Sequence, residues 1–260
     1  HQEYCQQIIN IAKKHASIIG FEIAEIETPT LNDFIEQVLR TNKYLGMDSG
    51  TTHLGFEVVT LPDGAMSSRK GNIVRYEDLR DTLVEKITEE TKTRHADWKP
   101  KKVAQNATAI AMAGMKFMML RQDPATQITF DMDEALSVDG FTGPYVLYTI
   151  ARINSIEANA DMPPLLLGEK LTHPIERAML RKIADYPGDV AKAGQSFNVA
   201  LIAQEAFALA KLFAEYYHEV RILEDADKQR LAARLALLYA VRQTLTNACA
   251  LLGLDTVQEM

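Results

Sequence analysis

The sequence contains few cysteines, and the two that it has are far apart. Cys5 and Cys249 stand near opposite ends of the 260 residues and form no paired spacing. The pattern therefore predicts neither a disulfide framework nor a cysteine-based zinc site. We expect both cysteines to be reduced thiols in a hydrophobic core, which favours a cytoplasmic location.

Long apolar runs are also missing. None reaches the ~18 residues that a membrane-spanning helix needs, and no charged-then-apolar leader opens the chain. Because 47% of the residues are hydrophobic, the chain can still build a sizeable core. The sequence predicts a soluble, globular protein without a membrane partner.

Positive charge is not in excess, since 28 basic residues face 35 acidic ones and the net charge is −7. This balance argues against a protein that binds nucleic acid through electrostatics alone, although it permits local RNA contacts. Basic residues do cluster within eleven positions, with only Asp97 opposing them, at Lys92, Arg94, Lys99, Lys101 and Lys102. This cluster is either a contact for phosphates or a solvated helix face.

Hydrophobic periodicity divides the chain into a short strand-like part and a long helical part. Residues 56–61 are apolar and strand-like and precede a polar loop. Apolar residues at helical spacing then predict helices at about 77–94, 103–120, 144–160, 174–194, 197–218 and 226–252. We expect a break in the fourth of these at Pro187-Gly188. The regular apolar spacing after residue 144 predicts a helical bundle.

The loop Met66-Ser67-Ser68-Arg69-Lys70-Gly71-Asn72 combines two hydroxyls, two cations and a flexible end. A mobile loop of this kind can close hydrogen-bond donors and positive charge around phosphate oxygens that gain charge during a reaction. The composition indicates a binding site for a polyphosphate such as ATP, with Ser67, Ser68, Arg69 and Lys70 as catalytic candidates. The alternative interpretation is a solvated basic turn between a strand and a helix.

The segment after Gly143-Pro144 carries a second candidate site. On a helix, Tyr145, Tyr148 and Arg152 lie three and four residues apart and therefore project from one face. Aromatic rings stack on unpaired bases and arginine pairs with phosphate, so this face suits a single-stranded RNA loop. Tyr217, in an aromatic cluster near the end of a later helix, is a further candidate. Alternatively, the tyrosines are core residues with satisfied hydroxyls.

Several segments resemble one known family. Met66–Asn72 is similar to the Lys-Met-Ser-Lys-Ser loop of class I aminoacyl-tRNA synthetases, in the form typical of arginyl-tRNA synthetases. Gly143–Arg152 resembles the Gly-Pro-Tyr-x-x-Tyr-x-x-x-Arg segment that opens the anticodon-binding domain of that family. Residues 233–237 stand where the family has its Asp-Ala-Leu-Arg pattern, and residues 251–260 resemble its carboxy terminus. The resemblance covers roughly residues 53 to 260.

The resemblance implies a mostly α fold in which an all-α helical bundle follows a partial α/β nucleotide-binding, Rossmann-like catalytic fragment. The implied domains are a partial catalytic domain at 1–75, a helical connecting region at 76–140 and the anticodon-binding (DALR) domain at 141–260. The implied role of the loop at 66–72 is to bind ATP and stabilise its triphosphate. The resemblance also makes Met260 a tRNA contact beside Tyr145, Tyr148, Arg152 and Tyr217.

The implied activity is ligation of arginine to tRNA(Arg). The implied partners are arginine, the tRNA and ATP, and Mg²⁺ would accompany the ATP. We expect a monomer, with no tightly bound metal. Two departures matter: Ala65 replaces the first lysine of the loop motif, and no His-x-Gly-His element for the adenine end of ATP occurs in the chain. We therefore expect a carboxy-terminal fragment that is inactive alone.

Two other interpretations remain open at the level of sequence. A lysyl or cysteinyl synthetase shares parts of the loop but lacks the Gly143–Arg152 segment. A stand-alone, non-catalytic RNA-binding module is the alternative from a different functional class, and Ala65 and the missing adenine-binding element favour it.

Overall fold

The computed structural model describes residues 31–46, 52–62 and 75–260. The chain divides into two compact units, residues 1–55 and residues 56–260. Within the first unit, the described part consists of helix α1, Leu31–Tyr44, the turn at residues 45–46 that follows it, and residues 52–55, which have no regular secondary structure. All other described elements belong to the second unit, which carries the candidate site.

The second unit begins with two short parallel strands. Strand β1, Val59–Thr60, pairs with β2, Ile128–Thr129, so that Val59 lies opposite Ile128. Parallel strands need a long crossover connection. Helices α2, Tyr76–Arg94, and α3, Pro100–Leu120, supply it.

Local chemistry explains where these helices begin. Glu77 and Asp78 place negative charge in the first turn of α2, and Pro100 occupies the first turn of α3, where its missing N–H costs nothing. The short helix α4, Met132–Leu136, starts at Asp131, whose carboxylate accepts hydrogen bonds from the Asp133 and Glu134 amides.

Four long helices follow and form the bundle. They are α5, Gly143–Ala158; α6, Pro174–Ser196; α7, Ala200–Glu219; and α8, Lys228–Leu251. A short 3-10 helix, Gly168–Lys170, lies between α5 and α6. Helix α7 packs on α5, α6 and α8, and α3 packs on α5. The core that joins them includes the fully buried side chains of Phe117, Leu147, Ile153, Leu209, Leu238 and Leu245.

The contact between α3 and α5 is unusually close at Gly143. A Cβ atom placed there would lie 2.3 Å from the Ala113 carbonyl oxygen and 2.9 Å from the Phe117 Cβ. Only glycine lets the two backbones approach this closely. Gly143, the first residue of α5, therefore allows the helix that carries the candidate RNA-binding face to pack closely against α3.

The predicted break at Pro187-Gly188 is wrong. Helix α6 runs without interruption from Pro174 to Ser196. Pro187 itself is exposed, whereas Ile183 and Val190, four residues before it and three residues after it on the same stripe of the helix, pack against the core. Tertiary packing on both sides of the proline keeps the helix continuous.

The mostly α fold class with a carboxy-terminal helical bundle is confirmed. The six helices predicted after residue 76 are present, with ends that differ from the prediction by at most about three residues. None of the described helices is long and apolar enough to cross a membrane. The borders proposed at residues 75 and 140 stay predictions.

Candidate functional site

Four of the five predicted RNA-binding residues line one cavity. Tyr145, Tyr148 and Arg152 enter it from α5, and Tyr217 enters it from α7. The cavity has a volume of about 770 Å³, which is within the range of small-molecule sites. Tyr145 and Tyr148 are partly exposed and Tyr217 is 41% exposed, so none of the three is fully buried. Their assignment to RNA binding stays a prediction.

Arg152 is the central side chain of this cavity. Its guanidinium carbon lies 4.9 Å from the centre of the Tyr148 ring and 4.7 Å from that of Tyr217. It also donates a hydrogen bond to the Tyr148 hydroxyl one turn earlier on the helix. Cation–π contacts with two rings, one on each of two helices, together with this hydrogen bond restrict the orientation of the planar group. No carboxylate of the described residues forms an ion pair with it, so its charge is available to a ligand.

Tyr145 has a different environment from Tyr148. Its ring is half-buried and packs 5.3 Å from the Phe207 ring. Burial, reinforced by the Glu215 and Asp139 carboxylates, raises the pKa of the Tyr145 hydroxyl above its ordinary value. The hydroxyl therefore stays protonated at neutral pH and can donate a hydrogen bond.

Charged and polar groups of both signs border the cavity. Arg221 and His218 lie near the end of α7. The acidic side chains of Asp139 and Glu224 also line the cavity. Carboxylates can accept hydrogen bonds from exocyclic amino groups of bases, whereas arginine suits phosphates. Sequence reasoning missed Asp139 and Glu224, because neither belongs to a periodic pattern that points toward α5.

Met260 does not join the other four residues. It lines a separate cavity of about 30 Å³ together with Trp98 and Asn106. The two cavities share one lining residue, Val138. The predicted Met260 contact is thus adjacent to the tyrosine cavity rather than part of it.

The Asp-Ala-Leu-Arg-like segment contributes an internal charge network instead of a ligand contact. Arg234 donates to Glu176 over 2.8 Å and to Asp225 over 2.7 Å. Glu176 is completely buried and also accepts from the Tyr216 hydroxyl at 2.6 Å. Burial, together with the Glu176 carboxylate, raises the pKa of Tyr216 far above its ordinary value. The network ties α6, α7 and α8 together.

Asp225 is the second acidic centre of this network. Arg230 donates to it through two nitrogens at 2.6 and 2.7 Å, which is a bidentate pair. The hydrogen bonds from Arg230 lower the pKa of the Asp225 carboxyl below its usual range. Asp225 therefore stays ionised, which keeps the loop before α8 attached to the bundle.

The predicted ATP loop, Met66 to Asn72 with Ser67, Ser68, Arg69, Lys70 and Gly71 between them, lies outside the described residues. Within the part that the structure describes, no group of three or more His, Cys, Asp or Glu side chains could hold a metal ion.

Comparison with known proteins identifies the bundle first. Residues 146–260 match the family model of the DALR anticodon binding domain. They begin within α5 and include Tyr148, Arg152 and Tyr217. The helical bundle with the cavity is therefore an anticodon-binding domain.

Relatives over most of the chain identify the family. Arginine-tRNA ligase of Bdellovibrio bacteriovorus is 37% identical over 86% of this chain and 40% of its own length. That of Porphyromonas gingivalis is 31% identical over 81% of this chain and 36% of its own length. Thermus thermophilus arginyl-tRNA synthetase matches in structure with a TM-score of 0.77 and 25% identity, over 90% of this chain and 40% of that one.

The chain belongs to the arginyl-tRNA synthetase family and matches its carboxy-terminal part. It spans about 40% of the length of the curated relatives. The resemblance seen in the sequence is confirmed.

Proposed function

We propose that this chain is the part of an arginine-tRNA ligase that binds the anticodon loop of tRNA(Arg) and carries the loop that stabilises ATP. The observation that carries the first half is the cavity in which Arg152 stands between the Tyr148 and Tyr217 rings. It combines what an unpaired RNA loop needs, namely ring faces for bases and an unpaired guanidinium for phosphate.

The binding step uses the residues in different ways. Tyr148 and Tyr217 offer partly exposed rings on which a splayed base can stack. The guanidinium of Arg152 has five N–H donors, and one of its nitrogens donates to the Tyr148 hydroxyl. The remaining donors can bind a phosphate. Asp139 and Glu224 at the border can accept hydrogen bonds from base amino groups.

The catalytic half of the proposal rests on family membership and on the loop sequence. The arginine carboxylate attacks the α-phosphate of ATP, pyrophosphate leaves, and the activated arginine is then transferred to the tRNA. Arg69 and Lys70 would supply charge to the departing pyrophosphate, while Ser67, Ser68 and backbone amides would donate hydrogen bonds. Mg²⁺ would enter with the ATP phosphates as part of the substrate. A cytoplasmic, monomeric protein is part of the same proposal.

Titration of the 260-residue chain with labelled tRNA(Arg) tests the binding half. We expect it to bind tRNA(Arg) at least about tenfold more tightly than a transcript with a replaced anticodon loop, since each wrong base costs about 1–3 kcal/mol. We also expect no aminoacylation by this chain alone. Equal affinity for the two transcripts would contradict anticodon binding.

The ATP half needs a protein that contains an adenine-binding element. In such a parent, Arg69→Ala should slow arginine-dependent exchange of pyrophosphate into ATP and leave tRNA affinity largely intact. An unchanged exchange rate would show that the loop takes no part in the chemistry.

A stand-alone RNA-binding module is the second candidate function, because Ala65 replaces the first lysine of the loop motif. A parent reading frame without upstream catalytic sequence would favour it.

A further inference from the structure

The last nine residues, 252–260, form a tail that is fastened along α3 and α5. Leu252, Leu254 and Val257 are buried with 4–5% exposure and belong to the main core. Lys116 of α3 donates a hydrogen bond to the carbonyl group of Gly253. The first part of the tail is thus held by packing and by a charged donor.

The end of the tail is held by two side chains from different helices. Asn154 of α5 donates through Nδ2 to the Gln258 carbonyl oxygen over 3.1 Å. Lys102 of α3 donates through Nζ to the Glu259 carboxylate over 2.6 Å. Both contacts lie within two residues of Met260.

Besides Glu259, Lys102 contacts the ring of Trp98. Its Nζ lies 3.9 Å from the centre of the Trp98 ring, and the His95 ring stacks on Trp98 at 3.9 Å. The ammonium group therefore connects the turn between α2 and α3 with the tail. Neighbouring Lys101 is exposed, and no carboxylate in the described part of the chain forms an ion pair with it.

Met260 follows directly after the two residues that these contacts hold. Its side chain lines the 30 Å³ cavity with Trp98, and Val138 is shared between that cavity and the tyrosine cavity. Asn154 is also on the same helix as Arg152 and only two residues further along. We therefore expect a change at either contact to shift Met260 relative to the tyrosine cavity.

We propose that Lys102 and Asn154 are positioning residues, which hold the tail so that Met260 stays next to the tyrosine cavity, the cavity lined by Tyr145, Tyr148, Arg152 and Tyr217. The inference rests on the proposed function, since it assigns these residues to the RNA-binding site. Lys102 and Glu259 are 40% and 60% exposed, and exposed ion pairs contribute little to global stability. Variants of this pair should therefore fold normally and affect the tail alone.

Charge reversal separates a positioning role from a direct contact between Lys102 and phosphate. The variants are Lys102→Glu, Glu259→Lys and the double variant, with Lys101→Glu as the control for the change in net charge. A positioning role predicts that each single variant weakens binding of an anticodon stem-loop about threefold to fivefold, which corresponds to an exposed ion pair. It also predicts that the double variant binds more tightly than either single variant, although the contact of Lys102 with Trp98 is lost.

A phosphate contact predicts a different pattern. Glu259→Lys would then bind at least as tightly as the wild type, because it adds positive charge, and the double variant would stay weaker than Glu259→Lys. That result would overturn the positioning role.

The control variant Lys101→Glu should weaken binding less than Lys102→Glu, and equal losses for the two variants would also overturn the positioning role. Asn154→Leu, which removes the donor to Gln258, should weaken binding, whereas Lys102→Arg should retain it.

The single tryptophan of the chain, Trp98, provides a measurement without RNA. Glu259→Lys leaves Trp98 and Lys102 in place but repels the tail, so acrylamide should quench Trp98 more strongly than in the wild type, and the double variant should return toward it. Unchanged quenching in Glu259→Lys would overturn the inference. A wild-type chain that binds no stem-loop would instead overturn the proposed function, and the inference with it.

Discussion

Arg152 and Tyr217 form a contact between two helices: the guanidinium carbon lies 4.7 Å from the ring centre. Because Tyr148 holds the same guanidinium from within α5, the arginine is fixed from two sides. The bundle contains a similar pair elsewhere, since Arg242 lies 5.0 Å from the ring of Tyr239 on α8. That pair lines none of the cavities described above and therefore serves as an internal control.

Tyr148→Ala should weaken tRNA binding by about 1–3 kcal/mol, the scale of one lost base stack. Tyr239→Ala removes a comparable ring, 51% exposed and beside an arginine, but outside the tyrosine cavity. It should leave the affinity unchanged. Fluorescence titration with tRNA(Arg) checks both variants. Equal affinity of Tyr148→Ala and wild type would reject the stacking role.

Arg234→Ala should destabilise the bundle strongly. It leaves Glu176 and Asp225, whose side chains are 0% and 1% exposed, without their shared partner. Removing one partner of a buried ion pair costs about 3–5 kcal/mol. Arg181→Ala, at an exposed position on α6, should change stability by less than about 0.5 kcal/mol. Urea unfolding measures both, and a similar small effect for both variants would show that the network is unimportant for stability.

The same network predicts an acid-sensitive stability. Arg230 lowers the pKa of Asp225 in the folded state, so the unfolded chain binds the proton more readily. The stabilisation is complete above the unfolded pKa of about 3.9 and is lost as the pH falls through the lower, folded value. Between pH 5 and pH 3, the Tm of the wild type should therefore fall more than that of Asp225→Asn. Parallel curves would contradict this assignment.

Gly143→Ala and Gly188→Ala should have opposite effects on stability. The added methyl group at residue 143 would meet the Ala113 carbonyl oxygen at 2.3 Å, whereas at residue 188 it meets nothing within 4 Å. The first change should destabilise by about 1–3 kcal/mol through overpacking. The second should stabilise by about 0.4–1 kcal/mol, because alanine suits an exposed helix interior. Thermal unfolding checks the signs; a stabilised Gly143→Ala would show that the contact between α3 and α5 can relax.

The sequence was sufficient to predict the elements that depend on local patterns. The helices after residue 76 follow from apolar spacing, and the shared face of Tyr148 and Arg152 follows from their four-residue separation. The family followed from short motifs, which the comparisons confirm.

Contacts between distant residues could not be predicted in this way. Glu176 reads as an ordinary acidic residue in a first helical turn, yet it is fully buried because Arg234 and Tyr216 reach it from two other helices. Pro187 reads as a helix breaker, but packing around it keeps α6 intact. The separation of Met260 from the tyrosines likewise depends on how the tail docks, which no local pattern encodes.

The most direct test of the anticodon site is the affinity of a labelled tRNA(Arg) anticodon stem-loop for Arg152→Ala, compared with Arg181→Ala. Both variants lose one positive charge, but only the first removes the guanidinium held between Tyr148 and Tyr217. We predict a loss of about tenfold or more for Arg152→Ala, the scale of one hydrogen bond to a charged group, and wild-type affinity for Arg181→Ala. Equal affinities of the two variants would contradict the proposal that this cavity binds the anticodon loop.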